Sequence, residues 1–219
     1  MEHFAPEAAE NPLRRLYSAK LADAVGAIQR HVHPGAAILD LGGGPGRMAA
    51  PLASSYRVTL CDVSSHMLHA AARRAAAGRI PAGNLRLALV DACGPLPFAS
   101  GSFDAALFID VLPHISDAVG VLRELGRVVK SGGTLIVDGS NRSPWWMLRY
   151  PRALGRRPGR WRATWQSGGV APEWLSNVRH HRREEYMALL AASGLVTVEQ
   201  WTYGPFWCPK WFMTRCLVT

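Results

Sequence analysis

The spacing of apolar residues changes along the chain from helical to strand-like and back. Residues 12–33 predict an amphipathic helix, broken by Pro34-Gly35, because apolar side chains recur there at helical intervals: Leu13, Leu16, Leu21, Val25 and Ile28. Short apolar runs predict buried strands, at residues 36–41, 56–61, 85–90, 103–109 and 133–137. Further helical stretches lie at 47–54, 65–77, 117–129 and 182–192, and Ser116 is the expected N-cap of the third of these.

Alternation of strands and helices predicts a three-layer α/β fold, in which helices cover both faces of a mostly parallel sheet. Two further strands, 195–203 and 210–218, are separated by a short link and predict an antiparallel pair at the C-terminal edge. The sheet then has seven strands. We expect one domain over residues 1–219, with an N-terminal helical segment at 1–33 and an insertion at 142–178.

Composition supports a folded domain with a sizeable core. Hydrophobic residues make up 48% of the 219 residues and charged residues 19%, and the mean hydropathy is +0.00. No apolar run approaches the roughly 20 residues of a membrane span. The first residues carry acids and a proline where a leader would be basic and then apolar. The four cysteines form no C-x-x-C pair, which argues against a disulfide framework or structural zinc. We therefore expect a soluble cytoplasmic protein.

Positive charge is concentrated in one segment. Residues 142–183 contain ten arginines and one acidic residue, so this segment accounts for the net charge of +9 of the whole chain. Five of the eight tryptophans also lie there. The segment therefore differs in composition from the remainder, whose charges balance.

A glycine cluster follows the first predicted strand, in the sequence Asp40-Leu41-Gly42-Gly43-Gly44-Pro45-Gly46. Ligands of open α/β sheets bind outside the carboxyl ends of the strands, where glycines allow close backbone approach. The cluster fits a dinucleotide motif poorly, because Arg47 takes the place of its third glycine, and it lacks the Gly-Lys-Ser/Thr of a P-loop. Asp40 would repel phosphate, so the pattern favours a positively charged ligand. Four later strand ends also carry aspartates: Asp62, Asp91, Asp110 and Asp138.

Residues 38–46 resemble the first motif of the class I S-adenosylmethionine-dependent methyltransferases. Further segments resemble later motifs of that family in order, namely 60–68, 90–92, 103–114 and 125–135. The resemblance covers about residues 36–138 and is greatest to the small-molecule enzymes of quinone and natural-product biosynthesis. It implies a Rossmann-like sheet, methyltransferase activity, and S-adenosylmethionine as cofactor, with S-adenosylhomocysteine as product.

The resemblance also implies the residues that bind the cofactor. Asp62 corresponds to the ribose-binding acid, Asp91 to the contact of the adenine amino group, and Val63 and Met67 to the residues around the adenine ring. The carbonyl groups of Gly42 and Ile109 and the charge of Asp40 would lie near the positive groups of the methionine part. The full predicted set is Asp40, Gly42, Gly43, Gly44, Gly46, Asp62, Val63, Met67, Asp91, Ala92 and Ile109.

The positions of several residues relative to the predicted strands and helices make them candidates for the acceptor side of the site. His114 follows the fourth strand, and it is either a general base for an oxygen acceptor or a polar wall residue. Tyr17, Asn141, Arg142 and Trp145 are candidate acceptor contacts. His66 and His69 are spaced to chelate a metal, but we expect no metal site because the adjacent Asp62 is assigned to ribose.

The Arg/Trp-rich insertion allows several interpretations. It could cover an anionic or aromatic small-molecule acceptor, or it could contact an anionic membrane surface near a lipophilic substrate. It could instead bind RNA, or it could be a solvated surface. RNA is disfavoured, because residues 110–113 read Asp-Val-Leu-Pro and not the Asn/Asp-Pro-Pro-Tyr of base-amine methyltransferases. We expect O-methylation of a small molecule first, C- or N-methylation next, and keep a catalytically silent cofactor-binding scaffold as the alternative.

Overall fold

The computed structural model describes residues 12–78, 80, 81, 83–140, 181–203 and 211–219. The helices are α1 (Pro12–His31), α2 (Ala49–Leu52), α3 (Ser65–Ala77), α4 (Ala118–Val128) and α5 (Arg183–Ala192), and a 3-10 helix spans Leu112–His114. The strands are β1 (Ala37–Leu41), β2 (Arg57–Asp62), β3 (Leu85–Leu89), β4 (Phe103–Phe108), β5 (Val129–Ser140), β6 (Leu195–Tyr203) and β7 (Trp211–Val218).

One seven-stranded sheet has the order β3-β2-β1-β4-β5-β7-β6. The first five strands are parallel, and β7 lies antiparallel to both β5 and β6. The predicted fold class, mostly parallel with an antiparallel C-terminal edge pair, is confirmed. The order reverses at β1 and β4, and crevices outside the carboxyl ends of strands at such a point are where open α/β sheets bind ligands.

Two apolar layers bury the sheet on its two faces. Alternate side chains of the central strands point to opposite sides, so Leu39 and Phe108 enter one layer while Ile38 and Leu107 enter the other. The first layer is completed by α4 and α5, and the second by α1, α2 and α3. This burial on both faces explains why the central strands read as continuous apolar runs.

Two local features differ from the sequence-based prediction. Helix α4 is capped by Asp117 and not by Ser116, because the Asp117 carboxylate accepts a hydrogen bond from the N–H of Gly120 at 2.9 Å. Strand β5 begins at Val129, four residues before the predicted start, since the glycine pair at 132–133 forms an irregularity within the strand and does not end it. The strand also continues to Ser140, so Asp138 lies within β5, paired with Met213 of β7, and does not follow the strand as predicted.

The outlying segments are described only in part. Helix α1 confirms a helix within the N-terminal segment, and it ends at His31, two residues earlier than predicted. The insertion at 142–178 lies outside the described residues and stays a prediction. No helix of the described ranges is long and apolar enough to cross a bilayer.

Candidate active site

The glycine cluster forms a tight loop directly over the end of β1. Gly42, Gly44 and Gly46 have φ angles of 72°, 53° and 71°, in the left-handed region that favours glycine. The N–H groups of Gly42 and Gly43 donate to the carbonyl of Cys61, at 2.7 and 3.1 Å, which ties the loop to β2. A Cβ at Gly44 would meet no heavy atom of the described residues within 4 Å, so this part of the loop faces open space among them.

Asp40 lies buried beneath this loop. A Cβ placed on Gly43 would lie 2.6 Å from its Oδ2, and neither carboxylate oxygen makes a hydrogen bond with another described residue. Burial raises the pKa of Asp40 to about 7; the nearby backbone N–H of Ala49, which does not reach hydrogen-bonding geometry, opposes this rise, and the charge of Asp62 adds to it. Burial removes the water that would stabilise the ionised carboxylate. A positively charged group beside Asp40 would offset this desolvation cost and favour the ionised form.

Asp62 ends β2 and is fixed by two backbone donors. Its Oδ2 accepts from the N–H of Gly44 at 2.9 Å, and its Oδ1 accepts from the N–H of Ser64 at 2.8 Å. Each oxygen retains a lone pair for another donor. The Val63 side chain beside it is 70% exposed, and Met67 lies partly buried in the first turn of α3.

Asp91 and Ala92 follow the neighbouring strand β3. The N–H of Val90 donates to the carbonyl of Asp62 at 3.1 Å, so the two strand ends lie side by side. The Asp91 carboxylate is exposed and accepts from the N–H of Cys93 at 2.8 Å. The structure therefore brings Asp40, Asp62 and Asp91 to one edge of the sheet, around the glycine loop.

The segment after β4 closes the other side of the loop. Ile109 is buried, and the Val111 side chain packs against Gly42 so closely that a Cβ there would overlap it. Between them, Asp110 has a φ of 61°, and it is the only residue other than glycine with positive φ among the described residues. His114 ends the 3-10 helix that follows and has an exposed side chain.

A buried lysine, which the sequence analysis did not single out, joins α1 to this edge. Lys20 is fully buried, and its Nζ lies 2.5 Å from Asp110 Oδ1 and 2.7 Å from Asp138 Oδ2. Burial alone would lower the pKa of Lys20, but the charges of Asp138 and Asp110 raise it above its ordinary value. The sequence spacing could have indicated this burial, because Lys20 is four residues from both Leu16 and Ala24, on the apolar stripe of α1.

The predicted acceptor contacts lie wholly or partly outside the described residues. The side chain of Tyr17 lies outside the description, although its backbone belongs to α1, and Asn141, Arg142 and Trp145 lie outside the described residues. His69 uses Nδ1 to donate to the carbonyl of Ser65 at 2.7 Å. Within the described ranges, no three or more His, Cys, Asp or Glu side chains are grouped to hold a metal ion.

Comparison with known proteins finds similarity to methyltransferases over the segment that contains this site. The model of a family described as "Methyltransferase domain" matches residues 39–137. The chain is 36% identical over 132 residues to a demethylmenaquinone methyltransferase of Beutenbergia cavernae, covering 60% of this chain and 50% of the relative. It is 29% identical over 136 residues to a ubiquinone biosynthesis O-methyltransferase of Xanthomonas campestris pv. campestris, covering 62% and 54%. The chain thus spans about half the length of these curated relatives.

The fold also matches solved structures over nearly the whole chain. The magnesium protoporphyrin IX methyltransferase of Synechocystis PCC 6803, solved with bound S-adenosylhomocysteine, superposes with a TM-score of 0.74 at 15% identity, covering 98% of this chain and 90% of that one. At that identity the likeness concerns the fold alone, whereas the matched domain carries the motif sequence. Residues 39–137 thus match a methyltransferase domain family, and the motifs at the strand ends within that segment resemble those of the class I S-adenosylmethionine-dependent methyltransferases.

Proposed function

We propose that the protein transfers a methyl group from S-adenosylmethionine to a small-molecule acceptor, with oxygen as the favoured methylated atom. The observation that carries this proposal is the buried Asp40 carboxylate, which has no hydrogen bond with a described residue and lies under a glycine loop that opens at Gly44. Such a site suits a cationic ligand and disfavours a diphosphate. The solved relative with bound S-adenosylhomocysteine supports the same cofactor.

The described residues fit the parts of this cofactor. The free lone pairs of Asp62 suit the two ribose hydroxyls, and its bonds to Gly44 and Ser64 hold it ready for them. The exposed Val63, with Met67 in the next turn, suits the apolar faces of adenine, while Asp91 and the adjoining Ala92 suit its amino edge. Asp40, the loop carbonyls and Ile109 would lie toward the positive methionine part.

Methyl transfer to a hydroxyl group requires that the acceptor oxygen be aligned with the methyl group and that a base accept the hydroxyl proton. The cofactor supplies a methyl group activated by a sulfonium, which leaves as a neutral thioether. The protein holds the acceptor oxygen in line with that methyl group and excludes water, so that the oxygen lone pair forms the new bond as the carbon–sulfur bond breaks. His114, at the end of the segment that packs against Gly42, would accept the hydroxyl proton.

The acceptor class rests on relatives and on charge. The relatives act, by their names, in menaquinone and ubiquinone biosynthesis. A phenolic or quinol acceptor would suit the arginines and tryptophans of residues 142–178, and Tyr17, Asn141, Arg142 and Trp145 remain its proposed contacts. If the acceptor is lipophilic, we also propose that this segment contacts an anionic membrane surface to reach it.

Calorimetry and a turnover assay test the proposal in sequence. We expect S-adenosylmethionine and S-adenosylhomocysteine to bind, and NAD and FAD not to bind. Incubation with methyl-labelled S-adenosylmethionine and a panel of phenols and quinols should then yield labelled product, and NMR of the product distinguishes an oxygen-bound from a carbon-bound methyl group. Binding without transfer to any acceptor would favour the scaffold alternative, and binding of NAD or FAD in place of the sulfonium compound would contradict the assignment.

A further inference from the structure

The ammonium group of Lys20 holds the end of β4 from two sides. It binds Asp110 directly at 2.5 Å, and it binds Asp138 at 2.7 Å. The second oxygen of Asp138 accepts a hydrogen bond from the backbone N–H of Asp110 at 2.7 Å. Side chain and backbone of Asp110 are therefore both anchored, one by Lys20 and the other by the carboxylate that Lys20 binds.

This anchoring occurs at a strained residue. A φ of 61° is unfavourable for a residue with a Cβ, although Asp and Asn tolerate it better than others. Such conformations persist only where the surroundings hold them, and they concentrate at functional sites. The three contacts around Asp110 supply that hold.

Electrostatics make the lysine necessary for the two carboxylates. Asp138 is buried, and burial raises its pKa while the Lys20 ammonium offsets part of the rise. Without that ammonium, the charges of the Asp110 and Asp138 carboxylates would repel each other, and Asp110 would lose its side-chain anchor. Lys20 also ties α1 to β4 and β5, and α1 is tied to β6 by a hydrogen bond from Tyr203 to Asp23 at 2.8 Å.

The position of Asp110 decides the position of its neighbours. Ile109 precedes it, Val111 follows it and contacts Gly42 of the glycine loop, and the chain then continues into the 3-10 helix that ends at His114. A shift of Asp110 would therefore move both a wall of the cofactor site and the proposed base. Misplacement by about 1 Å can lower a rate a hundredfold, even where the altered residue lies away from the reacting atoms.

We propose that Lys20 is a positioning residue of the methyl-transfer site, which clamps Asp110 and Asp138 so that the segment after β4 is held against the glycine loop. The inference rests on the proposed function, since it gives that segment a role in cofactor binding. It assigns to α1 a task beyond packing: among the described residues, the helix supplies the one cation that binds both the Asp110 carboxylate after β4 and the Asp138 carboxylate near the end of β5.

The test replaces Lys20 by methionine, which has similar length and no charge, and by arginine, which keeps the charge and the donors. We expect Lys20→Met to weaken binding of S-adenosylhomocysteine about tenfold or more in calorimetry, and Lys20→Arg to recover most of that loss. Lys130→Met is the matched control, because Lys130 binds Asp104 at 2.5 Å near the opposite end of the same strand. That control should leave the affinity within about twofold of wild type.

A second variant covers the case in which Lys20→Met does not fold. Asp110→Asn keeps a side chain that tolerates positive φ and can still accept from Lys20, but it removes the ion pair. It should also weaken binding several-fold. In a double-mutant cycle, the two losses should be less than additive, because both changes remove the Lys20–Asp110 ion pair.

The outcomes separate the two proposals. If the wild-type protein binds S-adenosylhomocysteine and both Lys20→Met and Asp110→Asn bind it equally well, the positioning role is wrong and the proposed function stands. Equal losses in Lys20→Met and Lys130→Met would also refute the role, since they would reflect general destabilisation. If the wild-type protein does not bind the compound, both proposals fall together.

Discussion

Replacing Asp40 by asparagine should change how the stability of the protein depends on pH. Burial raises the pKa of the Asp40 carboxyl to about 7 in the folded protein, with Asp62 adding to the rise, against an ordinary value of about 3.9 in the unfolded chain. Between these values the folded state binds a proton that the unfolded state has released. Raising the pH through this window therefore lowers the free energy of unfolding, and the loss is complete above the folded pKa.

The size of this effect follows from the shift. Between pH 5 and pH 8 the linkage contributes on the order of 2 to 3 kcal/mol, because the folded carboxyl changes from almost fully protonated to almost fully ionised while the unfolded one stays ionised. Asparagine has the same shape and does not titrate. Its amide donors cost stability at every pH, so the absolute stability of the variant is uninformative, whereas the difference in pH dependence isolates Asp40.

The assay is urea unfolding of the wild type and of Asp40→Asn, without ligand, at intervals from pH 5 to pH 8. The wild type should lose more stability than the variant as the pH rises, by the amount given above. Adding saturating S-adenosylmethionine should reduce the difference, because a sulfonium and an ammonium near Asp40 favour its ionised form. If the free energies of unfolding of the two proteins change with pH in parallel, the pKa of Asp40 is not raised, and the argument that this site favours a cationic ligand is wrong.

Three further substitutions test the predicted site. Asp62→Ala should weaken S-adenosylhomocysteine binding by about 3 kcal/mol, on the order of a hundredfold, because two hydrogen bonds to a charged acceptor are lost. The control is Asp117→Ala, which removes a carboxylate that also accepts from a backbone N–H at 2.9 Å and should leave the binding affinity unchanged. Gly44→Val should abolish measurable binding by filling the open face of the loop, whereas Gly83→Val, at a φ of 86° with equally open surroundings, should bear similar strain and still bind. His114→Ala should lower the turnover rate roughly a hundredfold with cofactor affinity unchanged if His114 is the base, and a rate near wild type would leave it a wall residue.

The fold was predictable because its signals are local. Each central strand is buried on both faces, so each reads as a short apolar run, and the glycines and aspartates that follow mark where strands end. The errors also have local causes. Ser116 and Asp117 both suit an N-cap, and only the geometry shows that Asp117 reaches the N–H of Gly120. The glycines at 132–133 look like a turn, but the chain continues through them within β5.

The sequence predicted which residues form the cofactor side of the site, but it did not predict their contacts and surroundings. The sequence indicated Asp40, the glycine loop and Asp62, and the structure brings them together. It could not show that Asp40 makes no hydrogen bond with another described residue, or that Gly44 alone of the loop's first three glycines faces open space. Both facts depend on how β1 and β2 align across the sheet, which no stretch of sequence specifies by itself.

Lys20 shows why the rest of the site escaped prediction and how such residues could be found. A charged residue on the apolar stripe of a helix must either disrupt the core or meet a buried opposite charge, so its spacing alone predicts a buried acid somewhere in the fold. Five aspartates lie at or near strand ends, and the sequence does not say which of them it meets. Topology decides the pairing, because β4 and β5 are neighbours at the centre of the sheet and α1 packs against β5 and β7. Asp110 and Asp138 therefore both reach one ammonium, although they lie 90 and 118 residues away from it. The search for positioning residues in this fold should therefore begin with charges that break an apolar stripe.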